Sequence, residues 1–143
     1  MTTEITLHNN ELIPPCTKDE LAKMNELNDF LRTFPQAELP TEQFIHAGCY
    51  VRTCLAKKGI IFGAVEIKVP TVLIVYGKGD LYCGDKKARI DGYLVLRGSA
   101  HRQVAFKAEE DTFFTMIYAT DKEKPEDCEF EFTDQTDQLM TRR

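Results

Sequence analysis

Imidazole and carboxylate side chains together can hold a transition metal and leave positions open for a substrate, so the histidines of this chain are the first residues to weigh. There are three, His8, His46 and His101. His8 falls in a polar lead-in, and His46 comes just before the first strand-like run. His101 follows a glycine at Gly98, and with Glu66 it would furnish only a partial, water-rich site. No metal and no other cofactor is expected. Covalent catalysis has no better footing, because no serine sits in a Gly-x-Ser-x-Gly elbow and nothing pairs a cysteine with His101. Gly77-Lys78-Gly79 is too short to cradle a phosphate and reads as a hairpin turn, while Gly59 to Gly63 reads as a turn plus a bulge. No catalytic residue is therefore assigned. The remaining chemistry is ligand binding inside a barrel, where a few polar groups among apolar walls fix a small molecule. Arg52, Glu66, Tyr76, His101 and Arg102 are the candidates. Neighbouring strand residues point to opposite faces, so His101 and Arg102 are not both expected to look inward. The competing reading of all five is a rim or a hydrogen-bonded framework.

The elements that must position these residues begin after Pro14-Pro15-Cys16, which cannot be helical because each proline drives the residue before it out of the α region. Thr17 and Glu20 then form a capping box, with Cys16 and Leu21 placed for a hydrophobic staple. Leu21, Met24, Leu27, Leu31 and Phe34 recur at helical spacing, which predicts an amphipathic helix over 17–34, stopped by Pro35 after Thr33. Its apolar stripe is expected to pack on the domain's own core or to meet a partner. Beyond the Phe34 to Glu42 linker, which carries Pro35 and Pro40, the pattern turns to short β runs: Gly48 to Ala56, Ile60 to Lys68, Thr71 to Tyr76, Asp80 to Cys83, Ala88 to Ile90, Tyr93 to Leu96, Arg102 to Ala108 and Thr112 to Ala119. Turns are placed at Lys57-Lys58-Gly59, Gly77-Lys78-Gly79, Gly84-Asp85, Asp91-Gly92 and Glu110-Asp111. Eight short strands without intervening helices indicate an antiparallel jelly roll or barrel preceded by one N-terminal helix. The chain thus divides into an extended leader (1–16), the helix (17–34), the β domain (44–120) and an acidic C-terminal segment (121–143). In that last segment Pro125 suits the first turn of a short helix, the Phe130 and Phe132 alternation suits a strand, and the last ten residues are expected to be mobile.

Leu96 to Ala105 carries a recognisable pattern. Gly98-Ser99-Ala100-His101 resembles the second cupin motif, P-x-G-x-x-H-x-x-x-N, with Leu96 and Ala105 in place of its proline and asparagine. Lys58 to Glu66 followed by Thr71 to Gly79 is similar to the region of the first cupin motif, whose metal-binding histidines are missing. Over Gly48 to Thr120 the chain resembles cupin-like proteins of unknown function encoded by tailed phages and prophages. The correspondence runs through Tyr50-Val51-Arg52, Gly59, Gly63 to Glu66, and Gly98 to Arg102. In that group histidine is usual where Glu66 stands. Cupin metal sites commonly use three histidines and a glutamate, and His101 alone sits at a position the family would use. The resemblance implies a jelly-roll fold without a conventional cupin metal site.

Bulk composition bounds what such a domain can do. At 143 residues the chain is one ordinary domain that needs no disulfides to fold. Eighteen basic against twenty-three acidic residues, a net charge of -5, disfavour nucleic acid as a partner. Apolar runs fall far short of the roughly 20 residues of a membrane helix, so no membrane is expected. Five cysteines without a C-x-x-C pair read as structural thiols in a reducing cytoplasm, with Cys49 and Cys54 on opposite strand faces. Two functions follow as expectations. One is a non-catalytic, homo-oligomeric cupin-like binding or assembly module of phage or prophage origin, in the host cytoplasm or the virion, with itself, a virion component or a host protein as partner. The other is a small-molecule site for a sugar or nucleotide-like ligand, or a degenerate metal-dependent cupin enzyme. That second reading requires Glu66 and His101 to converge within about 5 Å, the span one ligand can bridge.

Overall fold

The computed structural model describes residues 3–142. Its first helix begins where the capping box sets it. The Glu20 amide donates to the Thr17 hydroxyl at 3.1 Å, the Thr17 amide donates to the Glu20 carboxylate at 2.9 Å, and α1 runs Lys18–Leu31. It ends ahead of the expected stop, with the Arg32 amide still bonded to the Asn28 carbonyl. Met24 and Asn28, four residues apart, form its buried face, while Phe30 and Phe34 stay exposed.

Nine strands follow one another as β1 (Thr3–Thr6), β2 (Leu12–Ile13), β3 (Thr41–His46), β4 (Cys49–Ala56), β5 (Ile61–Gly63), β6 (Thr71–Cys83), β7 (Lys86–Gly98), β8 (Ala105–Ala108) and β9 (Thr112–Ala119). Their main order is β1-β7-β6-β9-β4-β3, with β8 joining β6 to β5 and β2 beside β7. All pairs are antiparallel except those of β1 and β2, which run parallel to β7. The leader is therefore part of the sheet. β3 starts inside the expected linker, at Thr41 and Glu42, and ends before the first expected strand at Gly48. It closes on β4 through Ala47 and Gly48, both at positive φ, as a tight hairpin with the sheet's twist demands.

The largest departure from the sequence pattern is at the glycines of β6 and β7. Gly77-Lys78 is not a turn but lies across the ladder from Asp91-Gly92, so four expected strands are two continuous ones of 13 residues each. The physical reason is a change of neighbour. β6 pairs with β9 over Val72–Tyr76 and with β8 over Gly79–Tyr82, so it bends between the two. At the bend a Cβ on Gly77 would lie 2.3 Å from the Thr112 hydroxyl, and one on Gly79 would lie 2.3 Å from the Lys107 carbonyl. Only glycine admits that approach. The true turn is Gly84-Asp85, two residues with Gly84 at φ +60°.

A second helix corrects the expectation of a single N-terminal one. α2 spans Pro125–Phe132 with its proline in the first turn, and buries Cys128, Glu129 and Phe132 while Phe130 faces out. The helix prevails over strand alternation because Cys128 and Phe132, four apart, both reach the second of two cores. That core also holds Tyr50, Val65, Met116, Tyr118 and Leu139. Leu139 and the ion pair of Arg142 with Glu129 dock the last residues described, which are not a free tail. The first core fills the space between the strands with Val75, Leu81, Ile90, Leu94, Leu96 and Phe106.

Candidate functional site

The glycine of the sequence motif, Gly98, ends β7, and its histidine, His101, lies in the loop that leads to β8. Its shape explains both Gly98 and Arg102. The Arg102 backbone is pinned to Ile67 by two reciprocal hydrogen bonds of 2.8 and 3.2 Å, and its guanidinium turns inward over Gly98. A Cβ at Gly98 would lie 2.5 Å from the guanidinium carbon. Arg102 is 4% exposed and donates to the Ser99 carbonyl at 3.0 Å, the Val69 carbonyl at 3.4 Å and the Thr71 hydroxyl at 2.6 Å. Burial lowers its pKa to about 10, so it remains charged at neutral pH. These contacts make it a framework residue.

His101, one residue earlier, is held at φ +59° by the Arg102 pairing on one side and by the Cys16 amide, which donates to the His101 carbonyl at 2.9 Å. Its ring points to solvent and meets Glu66, with Nδ1 3.0 Å from Oε2. The separation is within the span that a shared ligand requires. Behind the pair lies a set of amide side chains. Gln103, 1% exposed, donates to Asn25 Oδ1 at 3.0 Å and to the Ala64 carbonyl at 3.2 Å, and Gln135 accepts from the Glu66 amide at 2.8 Å while donating to Asn25 at 3.1 Å. These bonds fix the Ala64 to Glu66 segment between α1 and the C-terminal segment.

The other candidates stand elsewhere. Arg52 lies under α2, over the Phe132 ring, and donates to Tyr50 Oη at 3.2 Å, Gln43 Oε1 at 3.3 Å and Glu129 Oε2 at 3.3 Å. Glu129 also accepts from Thr141 and from Arg142 Nε. Burial works against its carboxylate, but the bonds from Thr141 and Arg142 and the charge of Arg52 together hold its pKa below the ordinary value. Tyr76 is on the outer face of the sheet, 59% exposed, with its ring 6.3 Å from that of Tyr93. The five candidates therefore occupy three settings rather than one pocket. Between the strands the rings of Phe62, Phe106 and Phe114, with centroids 4.8 to 6.2 Å apart, fill the interior expected to be hollow. Pockets open instead at the surface, one of about 520 Å³ between the end of α1 and β5 and one of about 310 Å³ beside β2 and the β6–β7 turn. Glu129 escaped the sequence reading. Its signal was its place in α2, one residue after Cys128 and three before Phe132.

A three-histidine and glutamate set does not assemble. His46 ends β3, His8 lies exposed between β1 and β2, and only His101 and Glu66 converge. Among the described residues no group of three His, Cys, Asp or Glu side chains is placed to hold a metal. No helix described is long and apolar enough to cross a membrane.

No protein-family model matches the chain, and no curated protein matches it by sequence. Solved structures are similar to it in fold. A cupin-2 domain from Rhodospirillum rubrum superposes with a TM-score of 0.51 at 12% identity, covering 64% of this chain and 66% of that chain. A cupin superfamily protein from Desulfitobacterium hafniense gives 0.49 at 17% identity over 64% of this chain and 88% of its own. Ectoine synthase from P. lautus gives 0.49 at 14% over 68% and 75%. The chain has a mostly β, cupin-like fold.

Proposed function

We propose that this chain is a non-catalytic, jelly-roll binding or assembly module that works as a homo-oligomer, with the outer face of its sheet packed against a second copy. The observation that carries the reading is the apolar character of that face. Strand register lines up Leu55, Phe113, Tyr76 and Tyr93 in one cross-strand row, and Phe44, Val51, Ile117 and Val72 in another. Phe44, Val72, Tyr76, Tyr93 and Phe113 are each more than 40% exposed. Between the rows lie Thr53, Thr115, Ile74 and Val95, and charge stands at the margins, as Glu42 and Arg97 at row ends and as Lys78 opposite Asp91 in the row beyond Tyr76 and Tyr93. A patch of this kind spread over five strands marks an interaction surface. A two-fold pairing of one face with itself needs no complementary charge, and the two central rows of this face carry charge only at their ends.

Phage or prophage origin, with a place in the host cytoplasm or the virion, rests on the resemblance over Gly48 to Thr120. The test of the oligomer is the solution mass of the wild-type chain and of Phe113→Lys and Tyr76→Lys. A dimer that both substitutions dissociate into folded monomers supports the reading. A wild-type chain that stays monomeric across the accessible concentration range sinks it.

The approach of Glu66 to His101 favours a second reading, a surface site for a sugar or nucleotide-like ligand or a vestigial metal site. Native mass spectrometry with metal analysis decides it. A stoichiometric adduct lost in both Glu66→Ala and His101→Ala supports a site there, and a bare chain removes it.

A further inference from the structure

The sulfurs of Cys16 and Cys83 lie 2.6 Å apart although 67 residues separate them in the chain. Cys16 closes the Pro14-Pro15 lead-in, and Cys83 is the last residue of β6, beside the Gly84-Asp85 turn. Both are half-buried. Their positions are fixed from the backbone. The Gln103 amide donates to the Cys16 sulfur at 3.3 Å, the Gln103 carbonyl lies 3.4 Å from the same sulfur, and the Cys16 amide is tied to His101. A sulfur–sulfur bond measures about 2.05 Å, so a shift of roughly half an ångström closes one. The two thiols are not equivalent. Either sulfur can donate in their mutual contact, but the Gln103 amide donates to Cys16, and the contact with Cys83 draws the Cys16 pKa down, with Lys86 helping, while that of Cys83 is pushed up. A pocket lined by Pro14, Pro15, Cys83, Lys86 and Val104 opens on the Cys83 side of the pair, and Cys16, the residue after Pro15, is itself only half-buried.

We propose that Cys16 and Cys83 form a reversible oxidation site, in which a low-molecular-weight disulfide is reduced, Cys16 is the attacking sulfur and Cys83 the resolving one. The Cys16 thiolate attacks one sulfur of the small disulfide, forming a mixed disulfide and releasing one small thiolate. Cys83 then loses its proton and attacks the Cys16 sulfur, forming the Cys16–Cys83 bond and releasing the second small thiolate. The protein gives up two electrons and two protons, and the small disulfide becomes two thiols. The bridge fastens the lead-in to the β6–β7 turn, and through the Cys16 amide it stiffens the loop bearing His101 and its partner Glu66.

The test treats the reduced full chain with oxidised glutathione, alkylates the remaining thiols, and reads intact mass and peptide map. The wild-type chain should lose two hydrogens, keep three alkylated cysteines of its five, and yield a linked Cys16–Cys83 peptide that dithiothreitol separates. Its melting midpoint should rise by about 5–10 °C on oxidation, as expected for a bridge across a long loop. Cys83→Ser should retain one glutathione on Cys16, and Cys16→Ser should form no bridge. If Cys83→Ser does not fold, acid quenching of the wild-type reaction at early times should trap glutathione on Cys16 instead. Five alkylated cysteines after oxidation, a bridge between other cysteines, or glutathione first on Cys83 would each overturn the proposal.

Discussion

Two acid–base pairs of similar length do opposite jobs. Glu66 and His101 meet at 3.0 Å with the histidine side chain 61% exposed, whereas Arg52 and Glu129 meet at 3.3 Å with their side chains 12% and 1% exposed. The shorter pair is the weaker. Water screens the first and replaces whatever it loses, while the second is surrounded by Tyr50, Phe132 and the backbone of α2, where an abandoned charge has no solvent to turn to. Distance alone therefore does not rank these sites. Burial assigns Arg52 and Glu129 to holding α2 on the sheet, and leaves Glu66 and His101 open to solvent.

The largest expected effect breaks the buried pair. Glu129→Ala removes the carboxylate that Arg52, Thr141 and Arg142 share, and leaves Arg52 charged beneath the helix. The expected loss is about 3–5 kcal/mol, read as a fall in the urea midpoint. The same group predicts a pH dependence. Its folded pKa is depressed below the ordinary 4.5, so the stability it adds is complete above that value and disappears as pH falls through the folded value. Wild-type stability should thus drop below about pH 4.5, and Glu129→Gln should make the drop shallower. An unchanged acid limb in Glu129→Gln would show that other carboxylates govern it.

The next effect sharpens the comparison with a cation that has no carboxylate at all. Arg102 is buried against neutral oxygens and lies flat on Gly98. Gly98→Ala forces the guanidinium off that surface and is expected to cost about 1–3 kcal/mol. In an Arg102→Met background the same alanine should cost less, and a double-mutant cycle measures the difference. Equal costs in the two backgrounds would mean that the alanine is resisted by the backbone and not by Arg102.

How much of this was legible in the sequence depends on how local each feature is. The Thr17 and Glu20 capping box, the Gly84-Asp85 turn and the β4 and β9 runs were readable because their signals lie within a few residues. Gly77 and Gly92 misled because a glycine that frees a turn and one that admits a neighbouring strand look alike in one dimension. For Gly77 that neighbour is Thr112, far along the chain, and Gly92 lies across the ladder from Gly77 at φ +95°. The strand β3 was hidden by Pro40, which drew the linker on to Glu42 although the pairing with β4 begins at Thr41. Of the site, His101 and Glu66 were named and do converge, but Glu129 and the Cys16–Cys83 contact depend on partners 77 and 67 residues apart. No periodicity encodes such distances.

The smallest effect separates the histidine's side chain from its backbone. A surface pair of this exposure contributes at most a few tenths of a kcal/mol, so Glu66→Ala should shift stability by less than about 0.5 kcal/mol. His101 also occupies a left-handed conformation, which costs a side-chain-bearing residue about 1 kcal/mol. His101→Gly should therefore be more stable than His101→Ala by about that amount, although both remove the imidazole. If the wild type surpasses both, the imidazole and Glu66 hold the loop together more firmly than an exposed pair can, and the pair joins Arg52 and Glu129 as a structural feature. If glycine is the most stable of the three, the fold tolerates strain at this position for the sake of a histidine facing solvent next to a carboxylate. That is the arrangement a ligand site would need.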